Sequence, residues 1–351
     1  MNQKYFLGVN TKDGFFSLYS GFPAKKGDFL HIIKGGPGTG KSSFMRALGR
    51  AAEEQGHEVE YVLCSGDPDS LDGVYIPSLH AAWVDGTAPH AIEPLGFQID
   101  SDYINLGMFF SQPFTDEEKN YVNYISSRYK ALYGSAYAYI AAAASLRRAA
   151  LPQLFNTDER AIVFKRVDNI LDRALGHGVG DAVHAEQRFL SAISCLGEYR
   201  LNEEITKLCK LIYSFDNGFG GAHTALEHTA EEAVQRGARV IRCLSPSEPA
   251  RLEAVLLPEN GLAFTDGSFD IENVRHIRID ALIPLEKQQA LRREIRRVHK
   301  LADSTMALAY EKLSQAKALH DEMEEAYKAH MDFSALTEYT EDEIKKLLNN
   351  Q

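Results

Sequence analysis

The stretch Gly35-Gly36-Pro37-Gly38-Thr39-Gly40-Lys41-Ser42 fits the phosphate-binding loop pattern G-x-x-x-x-G-K-[ST] at every fixed position. In this pattern the glycines let backbone N–H groups wrap a phosphate chain, the lysine reaches the β- and γ-phosphates, and the serine hydroxyl binds Mg²⁺. The apolar run 29–33 predicts a buried strand before the loop, and residues 43–52 predict a helix after it. We therefore predict a site for ATP and Mg²⁺ that consists of Gly35, Gly36, Pro37, Gly38, Thr39, Gly40, Lys41, Ser42 and Ser43.

The segments after the loop predict an α/β fold. Residues 58–64 and 81–85 have the composition of buried strands, and helical segments separate the strands. Such alternation is typical of a parallel sheet flanked by helices, with ligands bound at the carboxyl ends of the strands.

The chain contains an internal repeat. Asp85-Gly86-Thr87 recurs as Asp266-Gly267-Ser268, and the same offset of 181 residues carries Pro68 onto Pro249 and Pro77 onto Pro258. We therefore predict two tandem phosphate-loop NTPase-like domains, 1–180 and 181–351, each with a helical extension. The glycine-rich stretch 176–181 is the predicted linker.

The second copy differs from the first at the loop itself. The offset places Ala222 on Lys41 and His223 on Ser42. Without an ammonium group and a hydroxyl group, the second loop lacks the side chains that hold a γ-phosphate and its metal ion. We predict one nucleotide site in each chain.

Three long helical segments follow the strands. The predicted helices span residues 116–150, 158–175 and about Leu285–Ala329. In the last one, apolar residues recur at the spacing of a coiled-coil hairpin or bundle, although a helix that covers its own domain is the simpler interpretation. The residues with this spacing are Leu291, Ile295, Val298, Ala302, Ala309, Leu313 and Ala316.

Asp85 is the candidate second ligand for the metal ion, beside Ser42. It ends an apolar strand, where an aspartate commonly holds Mg²⁺ through water in phosphate-loop enzymes. The alternative is a structural turn in which the carboxylate caps the backbone, because Asp266 is present in the half that lacks the lysine.

The acidic turn after the second strand supplies further candidates. Asp67 and Asp69 could position water or act as a base, which makes them the catalytic candidates together with Lys41. An ordinary Asp-Pro turn with solvated charges explains the same residues.

Other polar residues give weaker signals. His90 follows the Asp85 strand and could approach a phosphate, and an arginine could stabilise transition-state charge. A lone histidine more often has a structural role, and each of these arginines more often belongs to a solvated helix face. The arginines considered are Arg147, Arg148 and Arg251, and the cluster His177, His184 and Glu186 matches no strong metal motif.

Composition limits the classes of partner. A net charge of −11 argues against general binding to nucleic acid or to an anionic membrane. Four scattered cysteines without a C-x-x-C pair indicate reduced thiols, and the N-terminus has no signal-peptide pattern. The uncharged run 131–146 is too short to span a bilayer, and we expect it to pack against a neighbouring helix. We expect a cytoplasmic protein.

The loop, the turn 64–73 and the sequence Asp85-Gly86-Thr87-Ala88-Pro89-His90 together resemble a poorly characterised family of tandem phosphate-loop ATPases from Gram-positive-type bacteria. The resemblance covers nearly the whole chain. It implies ATP binding and a cytoplasmic location, and it does not imply a known substrate. Members often carry a phosphate loop in both halves, so this chain departs from the family at Ala222 and His223.

Three functions fit these observations. The first is a Mg²⁺-dependent ATPase in which hydrolysis is coupled to motion between the halves. The second is a small-molecule or nucleotide kinase with a phosphoryl acceptor, and the third is a nucleotide-sensing scaffold that binds a protein partner. The absence of an [NT]-K-x-D motif favours ATP over GTP.

Overall fold

The computed structural model describes residues 2–23, 27–89, 92–94, 96–150, 155, 157–176, 180 and 185–349. In the first half the strands are β1 Gln3–Tyr5, β2 Gly8–Thr11, β3 Gly14–Ser17, β4 Phe29–Lys34, β5 Glu60–Leu63, β6 Leu71–Ile76, β7 Ala81–Asp85 and β8 Ser101–Asn105. The helices of this half are α1 Lys41–Glu54, α2 Asp116–Ala150 and α3 Thr157–Leu175.

The first half is built on a six-stranded sheet with the order β1-β5-β6-β7-β4-β8. The α/β class is as predicted, but the prediction of a parallel sheet is wrong, because β6 runs antiparallel to both β5 and β7. The reason lies in the short connections. Residues 64–70 join β5 to β6 and residues 77–80 join β6 to β7, whereas a parallel pair needs a crossover of a dozen or more residues.

The second half repeats this arrangement. Its sheet has the order β9-β13-β14-β15-β12-β16, which matches the first sheet strand for strand. The strands are β9 Glu186–Arg188, β10 Ser191–Ser194, β11 Gly197–Arg200, β12 Leu211–Phe215, β13 Ile241–Leu244, β14 Leu252–Leu257, β15 Leu262–Thr265 and β16 Arg275–Ile277. The helices are α4 Asn202–Leu208, α5 Ala222–Gln235, α6 Leu285–Lys328 and α7 Phe333–Asn349.

The two longest helices, α2 and α6, pack against each other in antiparallel orientation. Tyr121 near the start of α2 bonds to Glu322 near the end of α6, and Arg147 near the end of α2 pairs with Asp303 at 2.8 Å. Their shared apolar seam explains the spacing seen in the sequence and the uncharged run 131–146. Its buried members are Ala136, Ile140, Ala143, Ala302, Met306, Ala309 and Leu313, together with Ile193 from β10.

Each half sends its last helix to the other half. The α7 helix of the second half packs on α1, where the rings of Phe44 and Tyr339 stack at 6.0 Å. The α3 helix of the first half packs on α5, where Asp168 pairs with His228 at 2.8 Å. The helical extensions therefore connect the halves as well as covering the sheets.

A local two-fold relation joins the halves at their N-terminal strands. Phe6 and Phe189 occupy equivalent positions of the repeat and exchange two backbone hydrogen bonds, at 2.9 and 3.0 Å. Both side chains are completely buried. The symmetry of this contact, and of the antiparallel α2 and α6 helices, indicates that the halves face each other as a pseudo-dimer within one chain.

Among the described residues, no helix is both long enough and apolar enough to cross a membrane.

Candidate functional site

The candidate site lies at the carboxyl edge of the first sheet. Residues 35–42, here called the glycine loop, follow β4 and include the first two residues of α1, and Asp85 ends the neighbouring parallel strand β7. Gly38 and Gly40 have φ angles of +67° and +88°. Only glycine adopts this left-handed conformation at little cost, so the two residues give the loop its curvature.

The backbone N–H groups of residues 38–43 lie at the start of α1. None of them donates a hydrogen bond to any group of the residues that the structure describes. Thr39 within this run is completely buried, and buried N–H groups are almost always paired in folded proteins. A run of free N–H groups at the start of a helix is the arrangement that binds a phosphate group.

Lys41 lies over the loop. Its Nζ donates hydrogen bonds to the carbonyl oxygens of Gly35 and Gly36 at 3.0 and 2.8 Å, and it lies 3.6 Å from Asp85 Oδ2. The side chain is only 11 % exposed, so its charge is directed inward.

Ser42 and Asp85 have oxygen atoms of the kind that bind Mg²⁺ in proteins. The Ser42 hydroxyl accepts a hydrogen bond from the Leu71 N–H at 2.9 Å, which keeps its oxygen near the sheet edge. Asp85 Oδ1 accepts from the N–H and hydroxyl of Thr87, whereas Oδ2 faces Lys41. The oxygen that caps the backbone is therefore not the one that faces Lys41. One hydroxyl and one carboxylate, completed by phosphate and water, suit this ion.

The acidic turn lies beside Ser42 because the N–H of Leu71 holds that serine. Asp67 accepts from Ser70 Oγ at 3.0 Å and forms an ion pair with Lys317 of α6 at 3.4 Å. Asp69 is exposed, and its backbone oxygen accepts from Arg46 at 2.6 Å. The two aspartates thus have different surroundings: the side chain of Asp67 pairs with the second half of the chain, and Asp69 lies toward solvent.

The end of α6 covers the glycine loop, which the sequence analysis did not foresee. A Cβ atom on Gly36 would lie 2.3 Å from the Tyr327 ring, and one on Gly38 would lie 2.7 Å from the Glu324 carbonyl oxygen. At Gly40, the same atom would meet Leu336 of α7 at 2.8 Å. Two elements of the second half therefore touch the loop of the first.

His320 of α6 belongs to the same surroundings. Its Nδ1 lies 3.5 Å from Glu324, and its ring lies 5.8 Å from that of Tyr129 on α2. Burial lowers the pKa of His320, Glu324 opposes this, and the charge of Lys41 lowers it further. A signal was present in the sequence, since His320 and Tyr327 continue the apolar spacing of α6 beyond Ala316.

In the second loop, residues 216–223, two of the N–H groups are held by side chains of the protein. Asp280 Oδ2 accepts from the Gly218 N–H at 2.8 Å, and Asn217 Oδ1 accepts from the Ala222 N–H at 3.3 Å. Gly221 has a φ of −77°, so this loop also lacks the left-handed turn of Gly40. The Asp280 carboxylate thus contacts the second loop, whereas no carboxylate of the described residues accepts from the N–H groups of residues 38–43 in the first loop.

The remaining candidates lie elsewhere. Arg147 pairs with Asp303, and both Arg148 and Arg251 pair with Glu248 of the second half. Glu186 forms ion pairs with Arg188 and Arg239. Three candidates, His90, His177 and His184, are outside the described residues. The four cysteines are free thiols.

No known protein family, no curated protein and no solved structure matches the chain.

Proposed function

We propose that the protein binds ATP with Mg²⁺ at the glycine loop and hydrolyses it, and that the bound nucleotide acts on the second half through α6 and α7. The observation that carries this proposal is the run of free N–H groups at residues 38–43 next to Lys41. A phosphate chain would satisfy these groups, which otherwise remain without partners in a partly buried loop.

Each residue of the site has a role in the proposal. The N–H groups of the loop hold the phosphates, and Lys41 moves from the loop carbonyls to the γ-phosphate. Ser42 and Asp85 hold the metal ion, which neutralises charge on the phosphates when bound. Asp67, fixed by Ser70 and Lys317, positions the attacking water.

Coupling to the second half follows from the contacts above the loop. Tyr327, Glu324 and Leu336 lie against three glycines of the loop, so a change in loop shape on ligand binding displaces α6 or α7. Interior packing does not absorb such shifts gradually, because close-packed side chains have few voids.

Steady-state release of phosphate from Mg-ATP tests the proposal. We expect continuous turnover without an added acceptor, and a decrease of at least about tenfold in kcat/KM for Ser42→Ala through loss of a metal ligand. The matched control is His223→Ala, which changes the equivalent position of the second loop and should leave turnover unchanged.

Two results contradict the proposal. If both Ser42→Ala and Lys41→Ala retain turnover, hydrolysis does not take place at this loop. Tight ATP binding with no turnover would replace hydrolysis by phosphoryl transfer or by a sensing role.

A further inference from the structure

A cavity lies between the first sheet and α7, at the end of the sheet opposite to the glycine loop. Phe29 and Ala81, the first residues of β4 and β7, belong to its lining. Residues of β8 line it as well, and α7 contributes Tyr339 and Leu347. The volume is about 830 Å³, which lies within the range of sites for small molecules.

Aromatic rings line the cavity on both sides. On the sheet, the ring of His31 stacks on that of Trp83 at 4.9 Å, and the ring of Phe29 lies 4.9 Å from that of His31. On the helix side the lining includes Tyr339. Aromatic rings gain additional energy from contact with other aromatic rings, through offset stacking or edge-to-face contact. The lining therefore favours a planar aromatic molecule over an aliphatic one.

The charged side chains and histidines of the lining have partners within the protein. His57 Nδ1 lies 2.8 Å from Ser78 Oγ. The other pairs are Asp102–His31 at 2.7 Å, Glu343–Lys346 at 2.7 Å and His80–Asp28 at 2.8 Å. A charged molecule would therefore lie among aromatic rings without a counterion of its own, which is costly. The cavity favours a neutral molecule.

Trp83 has a polar group without a partner. The residue is only 3 % exposed, and its Nε1–H donates to no acceptor among the described residues. Buried polar groups are almost always hydrogen-bonded, and an indole N–H can act only as a donor. A bound molecule with a carbonyl oxygen or an unprotonated ring nitrogen would supply the acceptor.

The repeat shows that the shared fold does not require this N–H group. His31 of β4 is the register partner of Trp83 of β7, and in the second half Tyr213 of β12 is the register partner of Phe264 of β15. The rings of Tyr213 and Phe264 also stack, at 5.4 Å. Phenylalanine has no polar atom in its side chain, so the unpaired indole N–H is a feature of the first half alone.

From this we infer that the cavity binds a small neutral molecule that is planar and aromatic and carries a hydrogen-bond acceptor. The acceptor would take the hydrogen bond of the Trp83 N–H, and the rings of the molecule would lie between the sheet and Tyr339. The site is separate from the glycine loop, and the inference does not depend on the proposed function.

Nuclear magnetic resonance of the indole N–H tests this inference, because Trp83 is the only tryptophan of the chain and gives a single signal. The probes are caffeine and riboflavin, which are neutral and planar, carry carbonyl oxygens and lack phosphate. With full-length protein that contains isotope-labelled tryptophan, we expect at least one probe to move the signal downfield until it saturates. Lys41→Ala should respond as the wild type does, since the glycine loop takes no part.

Tyr339→Leu keeps an apolar side chain on α7 and removes the ring. It should weaken binding of the probe roughly two- to tenfold, because an aromatic contact is lost. The matched control is Tyr310→Leu on α6, which changes another partly buried tyrosine outside the lining and should leave binding unchanged. Circular dichroism checks that both variants fold.

Two results overturn the inference. In the first, neither probe moves the wild-type signal, or the shift grows linearly without saturation. In the second, Tyr339→Leu and Tyr310→Leu bind the probe equally well. The wild-type titration decides the matter even if Tyr339→Leu does not fold, and neither result bears on ATP binding at the glycine loop.

Discussion

At the scale of single residues, the difference between the two loops lies in the partners of backbone N–H groups. Asp280 and Asn217 accept hydrogen bonds from N–H groups of the second loop, whereas no group in the described part of the chain accepts from the N–H groups of residues 38–43 in the first. Burial and Asp216 raise the pKa of Asp280, and the N–H groups of Gly218 and Phe219 oppose that rise by stabilising its charge. The second loop therefore contains its own anion, which explains structurally why we expect only one nucleotide per chain.

Glu253 gives a residue-level prediction on pH. It is 5 % exposed, and burial raises its pKa to about 7, with Arg200 opposing and Asp266 adding to the rise. The folded state therefore holds the proton more tightly than the unfolded state. The contribution of Glu253 to the free energy of unfolding is therefore highest below the pKa of the unfolded state, near 4.5. It decreases as the pH rises from there to about 7.

Glu253→Gln should remove this dependence. Relative to the wild type, the variant should gain roughly 2 kcal/mol in free energy of unfolding between pH 5 and pH 7.5, as measured by urea denaturation. Glu259→Gln, on the exposed turn after β14, should show no such change. A gap between Glu253→Gln and the wild type that is constant with pH would show that the buried carboxyl titrates normally.

At the scale of elements, the contact between the glycine loop and the α6–α7 corner (residues 324–336) links the nucleotide site to the helices. Mg-ATP should slow amide hydrogen exchange at residues 38–43 and alter it at least twofold in the corner, because Tyr327 and Leu336 rest on the loop. Mass spectrometry of peptic peptides measures both regions. Peptides from α3, which packs on the second loop's helix α5, serve as the internal reference.

The Lys41→Ala variant should show neither change with Mg-ATP. If Mg-ATP slows exchange at residues 38–43 in the wild type but leaves exchange in the corner unaltered, nucleotide binding has no effect on the second half.

The elements themselves were more predictable than their arrangement. The helices predicted at 116–150 and 158–175 begin and end within a residue of α2 and α3, because propensity, periodicity and the break after residue 150 act locally. The direction of β6 was missed, since a short apolar strand has the same composition in either orientation. The contact of α6 and α7 with the glycine loop was not predicted, because the sequence does not show against which half these two helices pack.

At the scale of the whole molecule, the chain is a pseudo-dimer whose halves exchange helices. The α2 and α6 helices pack together, α7 covers α1 and α3 covers α5. A buried Arg188 of the second half adds an ion pair with Glu60 of the first at 3.2 Å. The helix that follows each loop, α1 or α5, is thus covered by the last helix of the other half. We therefore expect the two halves to be stable only together.

Cleavage of the connection tests this expectation. A protease site introduced at Gly180 should allow complete cutting while the two fragments still elute together on gel filtration in 0.15 M salt. The reason is that apolar burial along three helix contacts remains after the peptide bond is broken. Elution of two separate species, each near half the mass of the chain, would contradict the account of exchanged helices.

Calorimetric titration with Mg-ATP tests the central claim most directly, because it reports both affinity and stoichiometry. The account predicts one ATP per chain in the wild type and in His223→Ala, and binding weaker by at least about tenfold in Lys41→Ala, since a charge-assisted hydrogen bond is lost. Two molecules of ATP per chain, or undiminished binding by Lys41→Ala, would contradict it.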